Sequence, residues 1–205
     1  MKYMLSVGCL ALALATLAEE PKKDQGKTDP PGVPLEAKLV AKQATYTLDF
    51  GGLTAEDFRK AIKAGDDTGQ YPEAPRVDLV LKLRNTGDHD LQVKLGGTQN
   101  VITLDLEGKG AVSAKLKKQI TPKFIVASKP LTLAPGKGES VPITSLSYGF
   151  KGSDRAWWTE TGEYTLAASY QTEVSPAPKD AKPGPEGFAP VTVTSAPVKV
   201  KVEAK

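Results

Sequence analysis

The sequence has very few of the side chains on which most enzymatic chemistry depends. Its 205 residues include one cysteine, Cys9, and one histidine, His89. A Ser-His-Asp arrangement could therefore use only His89, and zinc sites usually need three or four His, Cys or carboxylate ligands. The chain has no Gly-x-Ser-x-Gly motif, and Gly136-Lys137-Gly138 lacks the spacing of a phosphate-binding loop. We therefore expect no catalytic residues and no cofactor.

Neither sign of charge dominates the chain. The 27 Lys and Arg residues against 24 Asp and Glu residues leave a formal charge of +3. Nucleic-acid-binding proteins usually carry a basic face, so we expect no nucleic-acid partner. The densest basic group is more typical of a solvated face than of a binding patch. It consists of Lys115, Lys117, Lys118 and Lys123.

The amino terminus has the layout of a secretory signal peptide. Lys2 is followed by an uncharged run, Met4–Leu17. That run has about 14 residues, whereas a membrane-spanning helix needs about 20. Thr16 and Ala18 occupy the −3 and −1 positions of a cleavage site, and a cut after Ala15 also fits. We predict that residues 1–18 are removed, that the protein is periplasmic or extracellular, and that no transmembrane segment remains.

Cys9 lies in Ser6-Val7-Gly8-Cys9, which faintly resembles a lipoprotein processing site. The usual Leu three residues before the Cys is missing, and only eight residues precede it, which argues against a lipid anchor. Cleavage after Ala18 would leave no cysteine, and hence neither a disulfide nor a thiol nucleophile. Residues 19–34 are charged and rich in Pro and Gly, which predicts a flexible linker rather than a recognition segment.

The clearest strand pattern runs from Val77 to Leu95. Apolar residues alternate with polar ones on both sides of Asn85-Thr86-Gly87-Asp88. Gly87 can adopt positive φ without a steric penalty, as a tight turn requires. We therefore predict an antiparallel hairpin whose apolar face meets the core.

Further alternating runs follow along the chain. Near the carboxyl end the apolar positions switch from odd to even across Ala196-Pro197, which predicts a bulge or kink. Tyr164 enters a strand after Gly162-Glu163 and resembles a tyrosine corner. About eight to ten short strands predict an all-β protein, best described as an immunoglobulin-like antiparallel β-sandwich over residues 35–205 with one short helix.

The helix is predicted to start at the N-cap Thr54 and to end at Gly65, at one end of the sandwich. Phe58 and Ile62 would share its apolar face. Two short strands are predicted at Val112–Leu116 and Lys123–Ala127. Pro142 argues against a central position for its strand.

Two segments are candidates for partner binding. The first is aromatic, with Trp157 and Trp158 on opposite faces of a strand, one in the core and the other exposed to a sugar or protein. Alternatively, its rings only close the end of the sandwich. The second is the proline-rich loop Val174–Pro190. The predicted contact residues are Tyr148, Phe150, Trp157, Trp158, Pro183 and Phe188.

Two acidic clusters are candidate metal sites, but neither has the arrangement that a metal ion requires. Asp88-His89-Asp90 lies at a predicted turn, where neighbouring side chains point to opposite sides. Asp66-Asp67 lacks the spacing of a calcium loop. A solvated turn is the simpler interpretation of each, so no metal is predicted.

Four stretches together resemble a family of uncharacterised secreted bacterial β-sandwich proteins. They are VDLVLKLRNTGDHDLQVKLGG, LTLAPGKGESVPI, WWTETGEYTLAASY and FAPVTVTSAPVKVKV. The resemblance covers about Leu35 to Val202 and implies an exported Ig-like fold but no activity. Asn-Thr-Gly, Leu-Ala-Pro-Gly and Gly-Glu-Tyr-Thr are also distantly similar to the intracellular proteinase inhibitor domain, although a signal peptide disagrees with an intracellular location.

These features favour an exported, non-catalytic binding or structural domain of the cell envelope, whose partner is an unknown protein or glycan. One alternative is a protease inhibitor that uses the loop at residues 174–190. Another is a carbohydrate-binding module that uses the aromatic group at residues 148–158. An enzyme that uses His89 is the remaining hypothesis.

Overall fold

The computed structural model describes residues 32–97, 100–115 and 126–205. The predicted signal peptide, Cys9 and nearly all of the predicted linker lie outside these ranges. So does most of the predicted strand Lys123–Ala127. Within them, the single α-helix falls short of the length and apolar character that a membrane span requires.

The described residues form thirteen strands and one α-helix, so the predicted all-β class is confirmed. The strand count exceeds the expected eight to ten because several strands are very short. The elements are β1 (Leu35–Ala41), β2 (Thr45–Thr47), α1 (Ala55–Thr68), β3 (Arg76–Asn85), β4 (Leu91–Leu95), β5 (Val101–Gly108), β6 (Ala111–Ala114), β7 (Lys129–Leu133), β8 (Gly138–Ser145), β9 (Ser147–Tyr148), β10 (Asp154–Trp158), β11 (Gly162–Ser175), β12 (Ala189–Thr194) and β13 (Val198–Glu203), with a 3-10 turn at Phe150–Gly152.

The strands form three sheets, and every named pair is antiparallel except β2 with β13. One sheet has the order β1-β3-β8 and a second has the order β6-β10-β9. The largest sheet is organised around β11, which pairs with β13 and then β12 along one edge, and with β5 and then β4 along the other. Inward residues of β1, β3 and this large sheet share one hydrophobic core.

The predicted hairpin Val77–Leu95 is wrong in its pairing, although its apolar face is correct. β3 pairs with β1 and β8, whereas β4 pairs with β11 and β7 in a different sheet. Leu79 and Leu81 of β3 and Val93 of β4 are fully buried in the shared core. The connection is therefore an arch from one sheet to the other, and β7 and β8 form a second arch in the same way.

Asn85 joins the two arches. Its side chain is fully buried, and its Nδ2 donates hydrogen bonds to the carbonyls of His89 and Leu133, both at 2.8 Å. Its Oδ1 accepts from the amide of Gly87 at 2.9 Å. Because each polar atom has a partner, this buried side chain incurs no unmatched desolvation cost.

The irregularity predicted at Ala196-Pro197 lies between β12 and β13. Ser169 of β11 faces Thr194, and Leu166 faces Val198. Between these pairs β11 advances three residues and the opposite strand advances four. This is the one-residue excess of a bulge. The hydroxyl of Ser195 accepts a hydrogen bond from the amide of Ala168 at 3.0 Å. This bond provides the Ala168 N–H with a partner at the point where the bulge interrupts the backbone ladder.

β8 is an edge strand, as Pro142 predicts. It pairs with β3 and with no other named strand. The amide of Asn85 donates to the carbonyl of Lys137, which is in register with the β3–β8 ladder. Odd-numbered residues of β8 therefore bond to β3, and even-numbered residues direct their backbone groups toward the free edge. Pro142 is even-numbered, so its missing N–H removes no ladder bond.

The helix α1 starts where predicted but extends further. The hydroxyl of Thr54 accepts from the amide of Asp57 at 3.1 Å, and Phe58 and Ile62 are buried. The helix ends at Gly69, in the left-handed conformation, and not at Gly65. Gly65 has a packing role instead, because a Cβ there would lie 2.3 Å from the ring of Tyr71.

Candidate functional site

The two adjacent tryptophans face opposite sides of β10, but both are buried. Trp158 packs in the main core against Tyr46 and Tyr164, with ring centroids 5.3 and 6.0 Å away. Trp157 belongs to a second apolar cluster with Phe58 of α1 and is fully buried. The expectation that one of them is exposed is therefore wrong, because α1 covers the outer face of this sheet.

Several contacts hold α1 and its following connection against β10. The indole Nε1 of Trp157 donates to the carbonyl of Glu73 at 3.3 Å. The guanidinium of Arg59 donates to the carbonyl of Thr159 at 3.3 Å and pairs with Glu160 at 3.0 Å. The ring of Tyr71 lies 5.6 Å from that of Trp157. The helix is thus fixed by buried rings and by directional bonds.

A cleft of about 530 Å³ opens between the two connections that flank α1. The first connection joins β2 to the helix and the second joins the helix to β3. The volume of the cleft falls in the usual range for small-ligand sites. The lining residues are Tyr46, Thr47, Asp49, Phe50, Gly51, Leu53, Phe58, Pro72, Glu73, Ala74, Pro75, Arg76 and Trp158.

The base of the cleft is aromatic, while its mouth is aliphatic and charged. Tyr46, Phe58 and Trp158 form the base, each no more than 5% exposed. Leu53 at the mouth is 48% exposed, which makes it one of the few large apolar side chains left in solvent among the described residues. Half-buried Phe50 packs on Phe58 with centroids 5.1 Å apart. This shape suits an apolar group inserted from outside.

Charges of both signs surround the mouth. The carboxylate of Asp49 accepts from the amide of Gly51 at 2.9 Å and lies 3.4 Å from the ammonium of Lys205. Chiefly that amide hydrogen bond, and secondarily Lys205, hold the pKa of Asp49 below its usual value, so it is ionised at neutral pH. Arg76 and Glu73 form an exposed ion pair at 3.4 Å. The rim can therefore orient a polar partner of either sign.

The other predicted aromatic residues are not brought to this cleft. Tyr148 is buried in the main core, and its burial raises the pKa of its hydroxyl. Phe150 lies half-buried in the 3-10 turn. Neither residue lines the cleft.

The proline-rich loop between β11 and β12 is anchored on Lys94. The ammonium of Lys94 lies 2.8 Å from carboxylate oxygens of both Glu173 and Glu186, and its side chain is only 13% exposed. It also lies 4.6 Å from the ring centre of Phe188. Pro183 is exposed at the outer part of the loop. The Lys94 ammonium donates hydrogen bonds to both carboxylates, and these bonds, chiefly the one to Glu173 and then the one to Glu186, raise the pKa of Lys94.

The aromatic segment and the proline-rich loop do not share one surface. Trp158 packs on Tyr164 near the start of β11, whereas the loop follows its last residue, Ser175. The ten residues from Tyr164 to Val174 span about 33 Å at the usual strand rise. Of the predicted contact residues, the structure brings Trp158 to the cleft and places Pro183 and Phe188 at the opposite end.

His89 lies in the first arch, directly before β4, at the end of β11 that is opposite the cleft. Its side chain is 84% exposed, and its Nδ1 lies 2.5 Å from the carboxylate of Asp88. That hydrogen bond lowers the pKa of Asp88. In the part of the chain that the structure describes, no three His, Cys, Asp or Glu side chains come together as a set able to hold a metal ion.

Comparisons place no known protein beside this chain. No protein-family model, curated protein or solved structure matches it. The resemblance to secreted Ig-like proteins and to the proteinase inhibitor domain therefore stays a prediction.

Sequence reasoning missed most of the residues that form the cleft. Phe50, Leu53 and Pro72 lie on connections, where no periodic pattern marks a shared surface. One local signal was available: apolar residues beside Gly51-Gly52 have no strand or helix in which to be buried. Their meeting with Trp158 depends on long-range packing.

Proposed function

We propose that the protein is an exported, non-catalytic binding domain of the cell envelope, with an immunoglobulin-like β-sandwich as its scaffold. The partner is a protein that inserts an apolar side chain into the cleft beside α1. One observation carries this proposal: an aromatic-based cleft of about 530 Å³ has an exposed Leu53 at its mouth. Interface energy is usually concentrated where an apolar anchor fills such a pocket.

The cleft favours a protein over a glycan. Sugar recognition by stacking needs an exposed ring face, and Tyr46, Phe58 and Trp158 are almost completely covered. An opening with aliphatic and charged edges instead matches an interface core with a polar rim. The 148–158 aromatic group likewise offers little exposed ring for stacking on a glycan, since Tyr148, Trp157 and Trp158 are each no more than 5% exposed.

Capture from envelope extract tests the proposal with three forms of the mature protein. Wild type is compared with Leu53→Asp, which places a charge at the mouth, and with Val126→Asp, a control at a 60% exposed aliphatic residue outside the cleft. We expect a partner that wild type and Val126→Asp retain and that Leu53→Asp binds at least tenfold more weakly after purification. Equal affinity for all three would rule out the cleft, and repeated capture of nothing would count against a binding function.

A second candidate function is protease inhibition by the proline-rich loop. Inhibitor loops must hold one conformation before they meet the enzyme, because preorganisation reduces the entropy lost on binding. The two carboxylates around Lys94 close the base of the loop, and the amide of Gly184 donates to the carbonyl of Phe188 at 2.7 Å. A panel of serine and metalloproteases at micromolar protein tests this idea. If every protease in the panel keeps its full activity, the protein is not an inhibitor of these enzyme classes.

A further inference from the structure

The outer face of the β1-β3-β8 sheet has a simple row pattern. Residues that face one another across three strands project their side chains to the same side. The rows are Glu36–Arg84–Gly138, Lys38–Lys82–Ser140 and Val40–Val80–Pro142. A groove of about 390 Å³ runs over the first two rows, close to the free edge of β8.

The charges in these rows are not balanced. Glu36 lies directly opposite Arg84 across the ladder, so opposite charges face each other there. Lys38 lies directly opposite Lys82, and like charges in that position repel. Among the described residues, neither of these two lysines forms an ion pair.

Other charges near the groove do not neutralise the lysine pair. Lys42, farther along β1, pairs with Asp78 at 3.5 Å, so its charge is matched. Glu139 also lines the groove, but it faces Leu83 in the register and so has the parity of the inner face. Glu36 lies one row away from the lysine pair, and it is one carboxylate against the three cations Lys38, Lys82 and Arg84, so the outer face keeps a net positive charge over these rows.

The edge beside this row has backbone groups directed outward. Gly138 and Ser140 are even-numbered, so their N–H and C=O groups point away from β3. A side chain at Gly138 is excluded, because its Cβ would lie 2.3 Å from the carbonyl of Leu83. The start of β8 therefore combines a bare backbone with nearby cations. Pro142 limits any added strand to the residues before it.

We propose that this edge binds an extended acidic peptide as an added strand along Gly138–Val141. The peptide backbone would exchange hydrogen bonds with Gly138 and Ser140. Carboxylates on alternate residues would project on the outer face, where Lys82 lies two strands away, at about 10 Å, and Lys38 one strand farther adds to the positive field. Strand addition of this kind obtains affinity from the main chain and specificity from alternate side chains. The site is separate from the cleft beside α1.

A short fluorescein-labelled peptide that alternates Glu and Thr serves as the probe, with its Lys and Thr counterpart as control. The double variant Lys38→Glu/Lys82→Glu should weaken binding at least tenfold, because it replaces attraction by repulsion. Ser140→Pro should weaken it about fivefold to tenfold, because it removes one outward N–H. It keeps the β3 ladder, as Pro142 already does two residues later. Lys63→Glu on the exposed face of α1 should have no effect.

Each outcome decides the proposal. Peptide binding that is lost in Lys38→Glu/Lys82→Glu but kept in Ser140→Pro would overturn strand addition. The lysines would then attract an anion without any pairing of backbones. No binding by wild type would also overturn it, since Lys and Pro would then only protect the edge from aggregation. If Ser140→Pro does not fold, a probe that is N-methylated at alternate residues makes the same test from the ligand side. Undiminished binding of that probe would contradict the proposal.

Discussion

The two ends of β11 are stabilised by different kinds of interaction. At its start, Trp157 and Trp158 join α1 to the sheets through buried rings. At its end, the proline-rich loop is held by one cation, Lys94, between two carboxylates. Apolar packing does not depend on the protonation of side chains, whereas the ion pair between Lys94 and Glu186 is lost when Glu186 is protonated. Salt screens the pairs of Lys94 only in part, because that side chain is 13% exposed. The packing at the base of the cleft therefore does not titrate, whereas the anchor of the loop does.

Trp157→Ala should produce the largest effect. The side chain of Trp157, on β10, is fully buried against α1. Truncation of such a side chain costs about 3–5 kcal/mol in unfolding free energy. Urea unfolding measures this loss, and amide exchange should show faster opening of α1 than of the loop. Lys63→Ala, on the exposed face of the same helix, is the control and should change stability by less than about 0.5 kcal/mol. Equal losses for both variants would contradict a structural role for the ring.

Asn85→Leu should be nearly as destabilising at the opposite end. The variant leaves the carbonyls of His89 and Leu133 without a donor and the amide of Gly87 without an acceptor. The loss of these three hydrogen bonds should cost about 2–4 kcal/mol in unfolding free energy, because only part of the site is shielded from water. Thermal and urea unfolding measure the change. A loss smaller than about 0.5 kcal/mol would mean that the apolar arches do not depend on this polar link.

Gly65→Ala distinguishes packing from helix propensity. Propensity alone predicts stabilisation of about 1 kcal/mol for Gly to Ala inside a helix. The added methyl would instead meet the ring of Tyr71, so we expect destabilisation of about 1–3 kcal/mol. A double-mutant cycle with Tyr71→Ala provides the control, because Gly65→Ala should become neutral or stabilising without that ring. Stabilisation by Gly65→Ala in the wild-type background would contradict the packing role.

The smallest effect on global stability should come from Lys94→Met, with its consequences confined to the loop. Lys94 lowers the pKa of Glu186, so this pairing stabilises the loop at neutral pH and is lost as the pH falls through that lowered pKa. The raised pKa of Lys94 means that the same contribution is lost again at strongly alkaline pH, as the ammonium deprotonates. We expect several-fold faster proteolysis of the loop in Lys94→Met, and in wild type at acid pH or high salt. Equal acceleration in α1 would contradict the contrast between the two ends.

Much of the local structure was predictable because it depends on neighbours in the chain. Thr54 caps the helix with its own hydroxyl, and the change of parity at Ala196-Pro197 marks the bulge. Pro142 indicated an edge strand because it has no backbone N–H to donate to a strand on its other side. Gly65 was wrongly predicted to end the helix. Its lack of a side chain is needed instead because the ring of Tyr71 packs directly against its Cα.

The candidate site was far less predictable. Alternation at Trp157-Trp158 correctly predicts opposite faces, but exposure depends on what covers each face. Here α1 covers Trp157, and Tyr46 and Tyr164 cover Trp158. The cleft then forms where two connections meet, and connections have no period from which burial can be inferred.

The all-β class, the inward faces of the strands and the start of the helix follow from the sequence, because each depends on alternation or on a local hydrogen bond. The placement of β3 and β4 in different sheets depends on long-range packing. A strand buries its apolar face equally well beside the next strand in a hairpin or across the core from it in an arch. Alternation therefore cannot distinguish the two connections. The same limit applies to the cleft and to the free edge of β8, since both are defined by which strand lies beside which.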